Sequence, residues 1–403
     1  MITYNEALEI MLGRARPVVR TETVPTLYAE GRVLARDVVS PINVPGWDNS
    51  QMDGYAVRSA DLSGASAEHP VRLPVSARIP AGSRGGPLAA GSCARIFTGA
   101  PIPEGADAVV AQEDVRTEDG AVVFTAPAAP GAWVRRAASD VAAGATVARA
   151  GEALTPARLG LIASVGAGYV TVYNHLRVGV FFSGSELVAP GEPLGEGGIY
   201  NSNRYTIRAL LQRLGCEAFD LGTVPDSLEA TVKALESAAR TADLIISSGG
   251  MSVGEEDHIK PAVEKLGRIE MWRVALKPGK PVALGEVCGK PFIGLPGNPV
   301  SSFVTFLMLA RPYILKCQGR GDVHVRPMMM RADFERTKPC SREEFVRVRR
   351  NDAGGLDIYP TQNSQVLTSC AWADGLVDIP AGGLVKKGDL VSYYPFGDLF
   401  QCK

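Results

Sequence analysis

The sequence predicts a multidomain α/β protein, with a central three-layer, doubly wound α/β domain, two β-rich domains and a helical linker domain. At 403 residues the chain is too long for one ordinary hydrophobic core, and 46% hydrophobic with 21% charged residues is typical of a globular protein. Residues 175–320 alternate apolar strand-like runs with amphipathic runs, which favours a mostly parallel sheet covered on both faces. The stretches 45–140 and 323–403 hold short strand-like runs separated by glycines and charges, which indicates β-rich domains.

The α/β stretch begins with the apolar run 177–182, which predicts a buried strand. Asn201 or Ser202 can cap the helix that follows, and Gly215 would end it. The sequence Asp-Ser-Leu-Glu at 226–229 has the form of a capping box, which would open a second helix.

The second half of this stretch repeats the pattern. Residues 243–247 predict another buried strand. Asn298 followed by Pro299 has the form of an N-cap and a proline at the first helical position, so a long apolar helix is expected from there towards Cys317.

The remaining segments complete four predicted domains. Residues 1–44 and 141–172 favour helices and are expected to form one discontinuous helical linker domain, interrupted by the β-rich insertion 45–140. Residues 173–322 form the predicted α/β domain, and 323–403 a predicted C-terminal β barrel, with a small β sandwich as the alternative.

Composition excludes several classes of function. A formal net charge of −1 argues against a sequence-independent nucleic-acid-binding protein. The seven cysteines are scattered without a C-x-x-C pair, so neither a disulfide framework nor a zinc site is expected. No apolar run reaches the roughly 18 residues of a membrane span, and no basic leader precedes one. We therefore expect a cytoplasmic protein with no membrane or nucleic-acid partner.

Two loops between Asp243 and Lys280 have the composition of phosphate-binding turns. In the first, a strand runs into a glycine- and serine-rich turn whose backbone could approach an anion, namely Ser248, Gly249, Gly250, Ser252 and Gly254. The second places three cations within eight residues, Arg273, Lys277 and Lys280. Carboxylates beside them could hold a divalent cation, so the loops predict a site for a phosphorylated ligand and Mg²⁺.

Topology predicts where this site lies. Ligands of parallel sheets bind beyond the carboxyl ends of the strands. Glu186, the loop 248–257 and the turn 296–299 all follow predicted strands, so we expect them to share that edge.

Five motifs, in order along nearly the whole chain, give a resemblance to a known family. They are Asp48-Asn-Ser-Gln-Met-Asp53-Gly-Tyr-Ala, Phe97-Thr98-Gly-Ala-Pro-Ile-Pro-Glu-Gly-Ala-Asp107, Ser247-Ser-Gly-Gly-Met-Ser-Val-Gly-Glu-Glu-Asp257, Lys277-Pro-Gly-Lys280 and Gly294-Leu-Pro-Gly-Asn-Pro299-Val-Ser. Together they resemble the molybdopterin molybdenumtransferase family, also called the MoeA and gephyrin E-domain family.

This resemblance implies a homodimer of four-domain subunits whose active site is shared between subunits. The implied reaction is the insertion of molybdate into adenylated molybdopterin with release of AMP, and it requires Mg²⁺. Positioning and charge neutralisation carry such a reaction without a nucleophilic side chain. Implied partners are a molybdopterin adenylyltransferase and maturation factors of molybdoenzymes.

The resemblance also implies roles for individual residues. Catalytic positions are Asp53, Thr98, Asp140, Glu186, Asp226 and Asp257, of which Glu186 and Asp257 are the leading Mg²⁺ ligands. Cofactor-binding positions beyond the two loops are Arg135, Pro296, Pro299, Arg347 and Ser364, the last two associated with the oxyanion.

Structural explanations compete with several of these roles. Asp53 could be a turn aspartate, and Asp226 or Asp257 a helix cap. The turn 296–299 could be only a helix start. Lys277 and Lys280 are harder to explain in this way, because like charges on a tight turn repel unless an anion lies between them.

The sequence departs from the family pattern at two places. Arg273 stands where lysine is common, and the segment 361–367 lacks the usual glycine-rich form. Alternative functions therefore include a non-catalytic molybdopterin-binding or scaffolding protein and a tungstate-specific relative. The adenylating enzyme of the same pathway is disfavoured, because it would not need the domains at 45–140 and 323–403.

Overall fold

The alternating strands and helices predicted for 175–320 form the centre of the larger of two units. The computed structural model describes residues 1–18, 20–251 and 257–400. The larger unit comprises Met1–Arg36, Ala150–Thr155 and Val170–Lys403, and the smaller comprises Asp37–Arg149 and Pro156–Tyr169. The finer limits of the four domains stay a prediction.

A six-stranded sheet, here called the central sheet, runs through the larger unit. In spatial order its strands are Glu217–Val224, Arg177–Ser183, Leu244–Ser248, Lys290–Leu295, Pro281–Val287 and Gly267–Arg273. The first four are parallel and the last two are antiparallel to their neighbours. Val180 and Phe182 enter one hydrophobic core and Phe181 enters the other, which explains why the strands are continuously apolar.

Helices cover both faces of the central sheet and complete the three layers that the sequence predicted. Ser202–Arg213 and the helix that starts at Pro299 pack on one face. Leu228–Thr241 and Ile259–Leu266 pack on the other. Asn201, one of two predicted caps, accepts the backbone N–H of Arg204.

The predicted long apolar helix is present as three consecutive segments, Pro299–Thr305, a π-helical turn Phe306–Ala310 and Arg311–Cys317. By length and composition it is the single helix of the described residues that could cross a membrane. Its most apolar window is 94% buried inside the protein, as expected of a core helix. Asn298 occupies the N-cap position, but its side chain makes no capping hydrogen bond.

The predicted C-terminal barrel is a closed ring of five strands. In ring order they are Glu343–Arg350, Gly355–Ile358, Met328–Ala332, Leu390–Pro395 and Gly375–Ile379. Pairing of the last strand with the first leaves the ring without an open edge. The short strand Leu276–Lys277 pairs with Glu343–Glu344 from outside, so the second predicted loop is tied to the barrel.

The smaller unit contains the β-rich insertion. Its six-stranded sheet has the order Ala108–Ala111, Gly54–Val57, Cys93–Ile96, Val71–Ile79, Ala121–Phe124 and Val115–Glu118. Separate apolar clusters pack around Tyr55 and Phe124 and around Ile79 and Ile96. This confirms the β-rich prediction for 45–140.

The segments 1–44 and 141–172, expected to favour helices, hold helices and short strands. The helices are Tyr4–Arg14, which a Thr3–Glu6 capping box opens, and Pro156–Ser164. The strands are Thr21–Pro25, Val38–Val39, Thr146–Ala148 and Tyr169–Tyr173. Short pairs Asn49–Ser50 with Val134–Arg135 and Leu187–Val188 with Ile199–Tyr200 complete the strands.

The segment 131–140 of the smaller unit contains left-handed backbone at two residues that are not glycine. The φ angle is +53° at Trp133 and +60° at Ala138. A Cβ atom in this conformation crowds the following carbonyl oxygen, which costs roughly 1–2 kcal/mol, whereas glycine adopts it freely.

We expect Ala138→Gly to raise the free energy of unfolding by about 0.5 kcal/mol, because relief of the strain exceeds the added entropy of the unfolded chain. The urea-unfolding midpoint measures this. Ala142→Gly is the control, because Ala142 lies in ordinary backbone of the same region and should become less stable. Equal destabilisation by both changes would show that Ala138 is not strained.

Two carboxyl groups lie side by side where the barrel packs against the N-terminal helix. Glu343 and Asp378 are close enough to interact with each other, and the charges of both act on the hydroxyl groups of Tyr4 and Tyr394. Burial, followed by the repulsion from Asp378, raises the pKa of Glu343, and burial raises the pKa of Asp378. The folded state therefore binds protons more tightly than the unfolded chain, and stability falls as the pH rises through the raised values.

We expect Glu343→Gln to reduce the loss of stability between pH 5 and pH 8, because the amide removes one of the two negative charges and can donate to Asp378. Urea unfolding at several pH values measures the slope. The control is Glu335→Gln, at an exposed residue of the same domain. A slope in Glu343→Gln as steep as in the parent protein would contradict the assignment.

Candidate functional site

Three parallel strands of the central sheet end next to one another, and the loops that follow them form the candidate site. Their last residues are Ser183, Ser248 and Leu295. These are the loops that the sequence predicted to share the carboxyl edge, and direct hydrogen bonds join the second loop to the third.

Ser248 is the centre of these bonds. Its hydroxyl donates to the carbonyl oxygen of Pro296 at 3.0 Å and lies 3.3 Å from the hydroxyl of Ser302. The side-chain amide of Asn203 donates to Ser248 Oγ at 3.0 Å and to the carbonyl oxygen of Gly297 at 2.7 Å. We call these five residues the Ser248 network. It locks the glycine-rich loop to the Pro-Gly-Asn-Pro turn.

Close backbone approach requires glycine in the loop that follows Ser248. Gly249 has φ of +95°, and a Cβ there would lie 2.2 Å from the carbonyl oxygen of Ser183. Its N–H donates to the carbonyl oxygen of Leu295 at 3.2 Å, so this N–H holds the loop in place. Gly250 also has positive φ, +60°. The predicted ligand contacts Ser252 and Gly254 lie outside the described residues.

Asp226 holds the loop after the first strand. Its Oδ1 accepts from the Ser183 hydroxyl at 3.1 Å, and its Oδ2 accepts from the Ser185 N–H at 2.7 Å. The helix that follows is capped by Ser227, whose Oγ accepts from Ala230 N–H at 3.2 Å. The alternative in which Asp226 caps this helix is therefore wrong, because the capping position lies one residue later.

Glu186 belongs to the loop that Asp226 fixes. In the part of the chain that the structure describes, its exposed carboxylate has no hydrogen-bonding or ionic partner. Asp257 is half-buried just before the helix Ile259–Leu266, in which His258 occupies the N-cap position without a side-chain capping bond. A capping role for Asp257 is thus not observed.

The donor set at this edge fits Mg²⁺. Mg²⁺ takes oxygen ligands, and in phosphate-binding sites one or two carboxylates suffice, with substrate oxygens and water completing the shell. Glu186 offers such a carboxylate, since no cation of the described residues neutralises it. A cluster of three or more His, Cys, Asp or Glu is not found among the described residues, so the site does not have the ligand set of a closed structural metal site.

The two lysines of the second loop have different surroundings. Lys277 Nζ lies 2.7 Å from Oε1 of the buried Glu344, which Arg336 also contacts at 2.7 Å. Burial would raise the pKa of Glu344, but hydrogen bonds from Lys277 and Arg336 bring it below its ordinary value. A buried carboxylate therefore offsets the repulsion expected on this turn.

Lys280 and Arg273 remain available. Both are exposed, and neither side chain has a partner among the described residues. Gly279 packs against Thr305 of the long helix, with space for no Cβ. The turn 277–280 thus packs on the helix that starts at Pro299. The first residues of that helix come directly after the turn that the Ser248 network holds.

The barrel also reaches this helix start. The carbonyl oxygen of Ser364 accepts the N–H of Val300 at 3.1 Å, next to the turning prolines Pro296 and Pro299. Arg347 is 1% exposed, and its guanidinium donates to Ser369 Oγ at 3.1 Å and to the carbonyl oxygen of Asn363 at 3.3 Å. Burial lowers the pKa of Arg347. The segment 361–364 therefore lies between this arginine and the helix start.

Two predicted residues of the smaller unit are in direct contact. Asp53 Oδ1 accepts both the N–H of Thr98 at 2.8 Å and its hydroxyl at 2.7 Å. Both bonds lower the pKa of Asp53, and the bond from the N–H has the larger effect. The positive charge of Arg95 lowers it further. The alternative in which Asp53 is a turn aspartate bound to local N–H groups is not observed, since the backbone N–H that it accepts lies 45 residues away.

The other two predicted residues of this unit lie on the adjacent segment. Asn49–Ser50 pairs with Val134–Arg135 on one side and contacts Gly99 and Ala100 on the other. Arg135 and Asp140 are exposed, and neither side chain has a partner among the described residues. The pair Asn49–Ser50 thus lies between Arg135 and the Thr98 turn, and Asp140 follows Arg135 on the same segment.

Sequence reasoning missed two residues that build the larger site. Asn203 lies in the first turn of its helix, where an asparagine signals only a cap. Glu344 begins a barrel strand far along the chain, and its pairing with Lys277 depends on tertiary packing.

Comparison with known proteins agrees with this architecture. Three family models match consecutive parts of the chain. They are the MoeA N-terminal region (domain I and II) over residues 2–166, a probable molybdopterin binding domain over 179–316 and the MoeA C-terminal region (domain IV) over 330–396.

Individual relatives match over almost the whole length. The molybdopterin molybdenumtransferase of Haemophilus influenzae is 40% identical, covering 99% of this chain and 100% of the relative. Molybdopterin molybdenumtransferase 2 of Mycobacterium tuberculosis is 39% identical over 94% of each chain. A crystal structure of a molybdopterin biosynthesis MoeA protein from Pyrococcus horikoshii matches with a TM-score of 0.82 and 32% identity, covering 98% of this chain and 99% of that one. The chain therefore belongs to the molybdopterin molybdenumtransferase (MoeA) family, whose members are transferases.

Proposed function

We propose that this chain inserts molybdenum into adenylated molybdopterin during molybdenum cofactor biosynthesis, using molybdate and Mg²⁺ and releasing AMP. The observation that carries the proposal is the carboxyl edge of the central sheet. There the Ser248 network fixes two glycine loops beside a carboxylate and cations that no group of the described chain neutralises. Membership of the family supports the same reaction.

The larger unit would bind the adenylated pterin. Lys280 and Arg273 are the exposed cations suited to its phosphates, because their charge is not used within the described chain. Lys277 would act mainly by holding the turn through Glu344. Preorganised groups of this kind stabilise developing charge without having to reorganise during the reaction.

Release of AMP requires the phosphate charge to be neutralised as the leaving group departs. Glu186, and Asp257 as a second candidate, would hold Mg²⁺, which supplies that neutralisation when bound. Asp226 would serve this step by fixing the loop that carries Glu186.

The oxyanion would be bound near the barrel. Molybdate is a dianion, and Arg347 together with the segment containing Ser364 would provide charge and hydrogen bonds for it. Since Arg347 is buried, it would act by positioning the backbone of 363–364 or after a local movement of that segment.

Asp53, Thr98, Arg135 and Asp140 would complete the site of a second copy of the chain. We propose a homodimer in which this surface of the smaller unit faces the carboxyl edge of the other subunit. The bonds from Thr98 keep Asp53 ionised and fix its orientation.

The direct test is AMP release from adenylated molybdopterin, measured by chromatography with molybdate and Mg²⁺ added or omitted. We expect release above the protein-free rate only when both are present. Binding of the adenylated ligand without any release would favour the scaffolding alternative. Faster release with tungstate than with molybdate would favour the tungstate-specific one.

We expect Asp53→Ala to lower the rate of AMP release by at least about tenfold, because the variant lacks a positioned charge at the proposed site. Size-exclusion chromatography should show the same oligomer as the parent protein. Asp114→Ala, at an exposed aspartate of the same unit, is the control and should keep the parent rate. Turnover of Asp53→Ala at the control rate would remove Asp53 from the site.

We expect Lys280→Ala to weaken binding of the adenylated ligand by about fivefold at low ionic strength and by less at high salt, because screening reduces the lost attraction. Isothermal titration calorimetry measures both values. Lys265→Ala, at an exposed lysine of the same unit, is the control. A loss of affinity in Lys280→Ala that does not depend on salt would contradict the electrostatic role.

We expect Lys277→Ala to lower the melting temperature, because it removes one partner of buried Glu344.

A further inference from the structure

A cavity lies at the opposite end of the central sheet from the candidate site. It has a volume of about 650 Å³. Arg177 and Lys290 begin their strands there, and Asp243 directly precedes a strand, so the cavity lies at the amino ends of the parallel strands. Residues 14–18 after the N-terminal helix form another wall.

Cations outnumber carboxylates in this cavity by six to three. The cations are Arg14, Arg16, Arg20, Arg177, Arg268 and Lys290, and the carboxylates are Asp243, Glu270 and Glu286. The excess is marked, because the whole chain carries a formal net charge of −1. A concave surface lined by one sign of charge concentrates ions of the opposite sign.

All three carboxylates are already bound by arginine. Asp243 contacts Arg20 at 2.8 Å and Arg177 at 3.2 Å. Burial would raise the pKa of Asp243, but the hydrogen bonds from Arg177 lower it. This carboxylate therefore stays ionised between two arginines, and that pair of arginines retains one net positive charge.

The other two carboxylates bind the remaining paired arginines. Glu270 contacts Arg14 at 3.0 Å and Arg268 at 3.2 Å, and Arg268 reaches Glu286 at 2.8 Å. These bonds neutralise four groups and fix Arg268 across the cavity wall. They leave no carboxylate of the cavity for the last two cations.

Those last two cations are Arg16 and Lys290. The guanidinium of Arg16 donates to the carbonyl oxygens of Gly13 and Ala15, at 2.8 and 3.0 Å. Lys290 is half-buried, and its ammonium group has no partner among the described residues. A half-buried, unpaired ammonium is costly to desolvate, and a bound anion would repay that cost.

The floor of the cavity is apolar and closely packed. Leu176, Leu284, Tyr313 and Cys317 line it, and each is at most 3% exposed. Rigid apolar walls with a few cationic groups at the rim are typical of pockets for small charged ligands. The volume exceeds what a single phosphate group needs.

From this arrangement we propose that the cavity is a binding site for a diphosphate group, either inorganic pyrophosphate or the diphosphate of a nucleotide. Arg16 and Lys290 contact the anion, and Arg177 and Arg268, held by their carboxylates, complete its surroundings. The site is independent of the proposed transferase chemistry, since it lies at the other end of the strands.

The test is calorimetric titration of the full chain with pyrophosphate and with ADP, in Mg²⁺-free buffer. We expect binding of pyrophosphate, and a double variant Arg16→Ala, Lys290→Ala should bind it at least about tenfold more weakly, which corresponds to about 1.4 kcal/mol. Tighter binding of ADP than of pyrophosphate would assign the nucleotide, and the reverse order the inorganic ion.

Two variants locate the binding. Lys265→Ala should keep the parent affinity, and Lys280→Ala, which changes the phosphate-binding candidate site at the other edge, should leave the Lys290-dependent binding in place. The single variant Lys290→Ala removes a side chain without a partner, so it should fold normally and still lose affinity. Parent-like binding by Lys290→Ala and the double variant, or loss of binding only in Lys280→Ala, would overturn the proposal.

Discussion

The hydrogen bonds around Ser248 are the constraint on which the candidate site depends. A serine hydroxyl and one asparagine amide join the end of one central strand to the turn after its neighbour. Ser248 is 2% exposed, so a lost partner would leave a buried polar group unsatisfied, at a cost of about 1–3 kcal/mol. Glycine at 249 allows this loop to lie against the end of the strand at Ser183, where a Cβ would be 2.2 Å from the carbonyl oxygen. The loops are therefore set before any ligand arrives.

Charge is distributed around this frame in two ways. Lys277, Asp226 and Asp53 are bound by other groups of their own unit, and each fixes a loop. Lys280, Arg273 and Glu186 have no such partner among the described residues and are exposed. The first group therefore builds the site, and the second group can bind a ligand. The sequence named members of both groups as site residues without separating these two roles.

The two ends of the central sheet differ in how they would bind anions. At the carboxyl edge, hydrogen bonds hold the glycine loops in place, and a few cations without partners among the described residues lie beside them. At the amino edge, arginines held by carboxylates form a cavity in which positive charge is in excess. Residues of the N-terminal helix and of the strand starts line that cavity, and they do not form a sequence motif.

The sequence by itself determined the three-layer domain, the β-rich insertion and a β-rich C-terminal domain, because burial on one or both faces of a strand leaves a pattern of apolar residues. It also located the loops at the carboxyl edge, since chain direction in a parallel sheet decides where they meet. Only the tertiary structure decided that Asp226 binds the loop at Ser185, that Lys277 pairs with Glu344 and that Asn203 joins two loops. Those contacts depend on distances between residues far apart in the chain, and a pattern of residue types does not contain such distances.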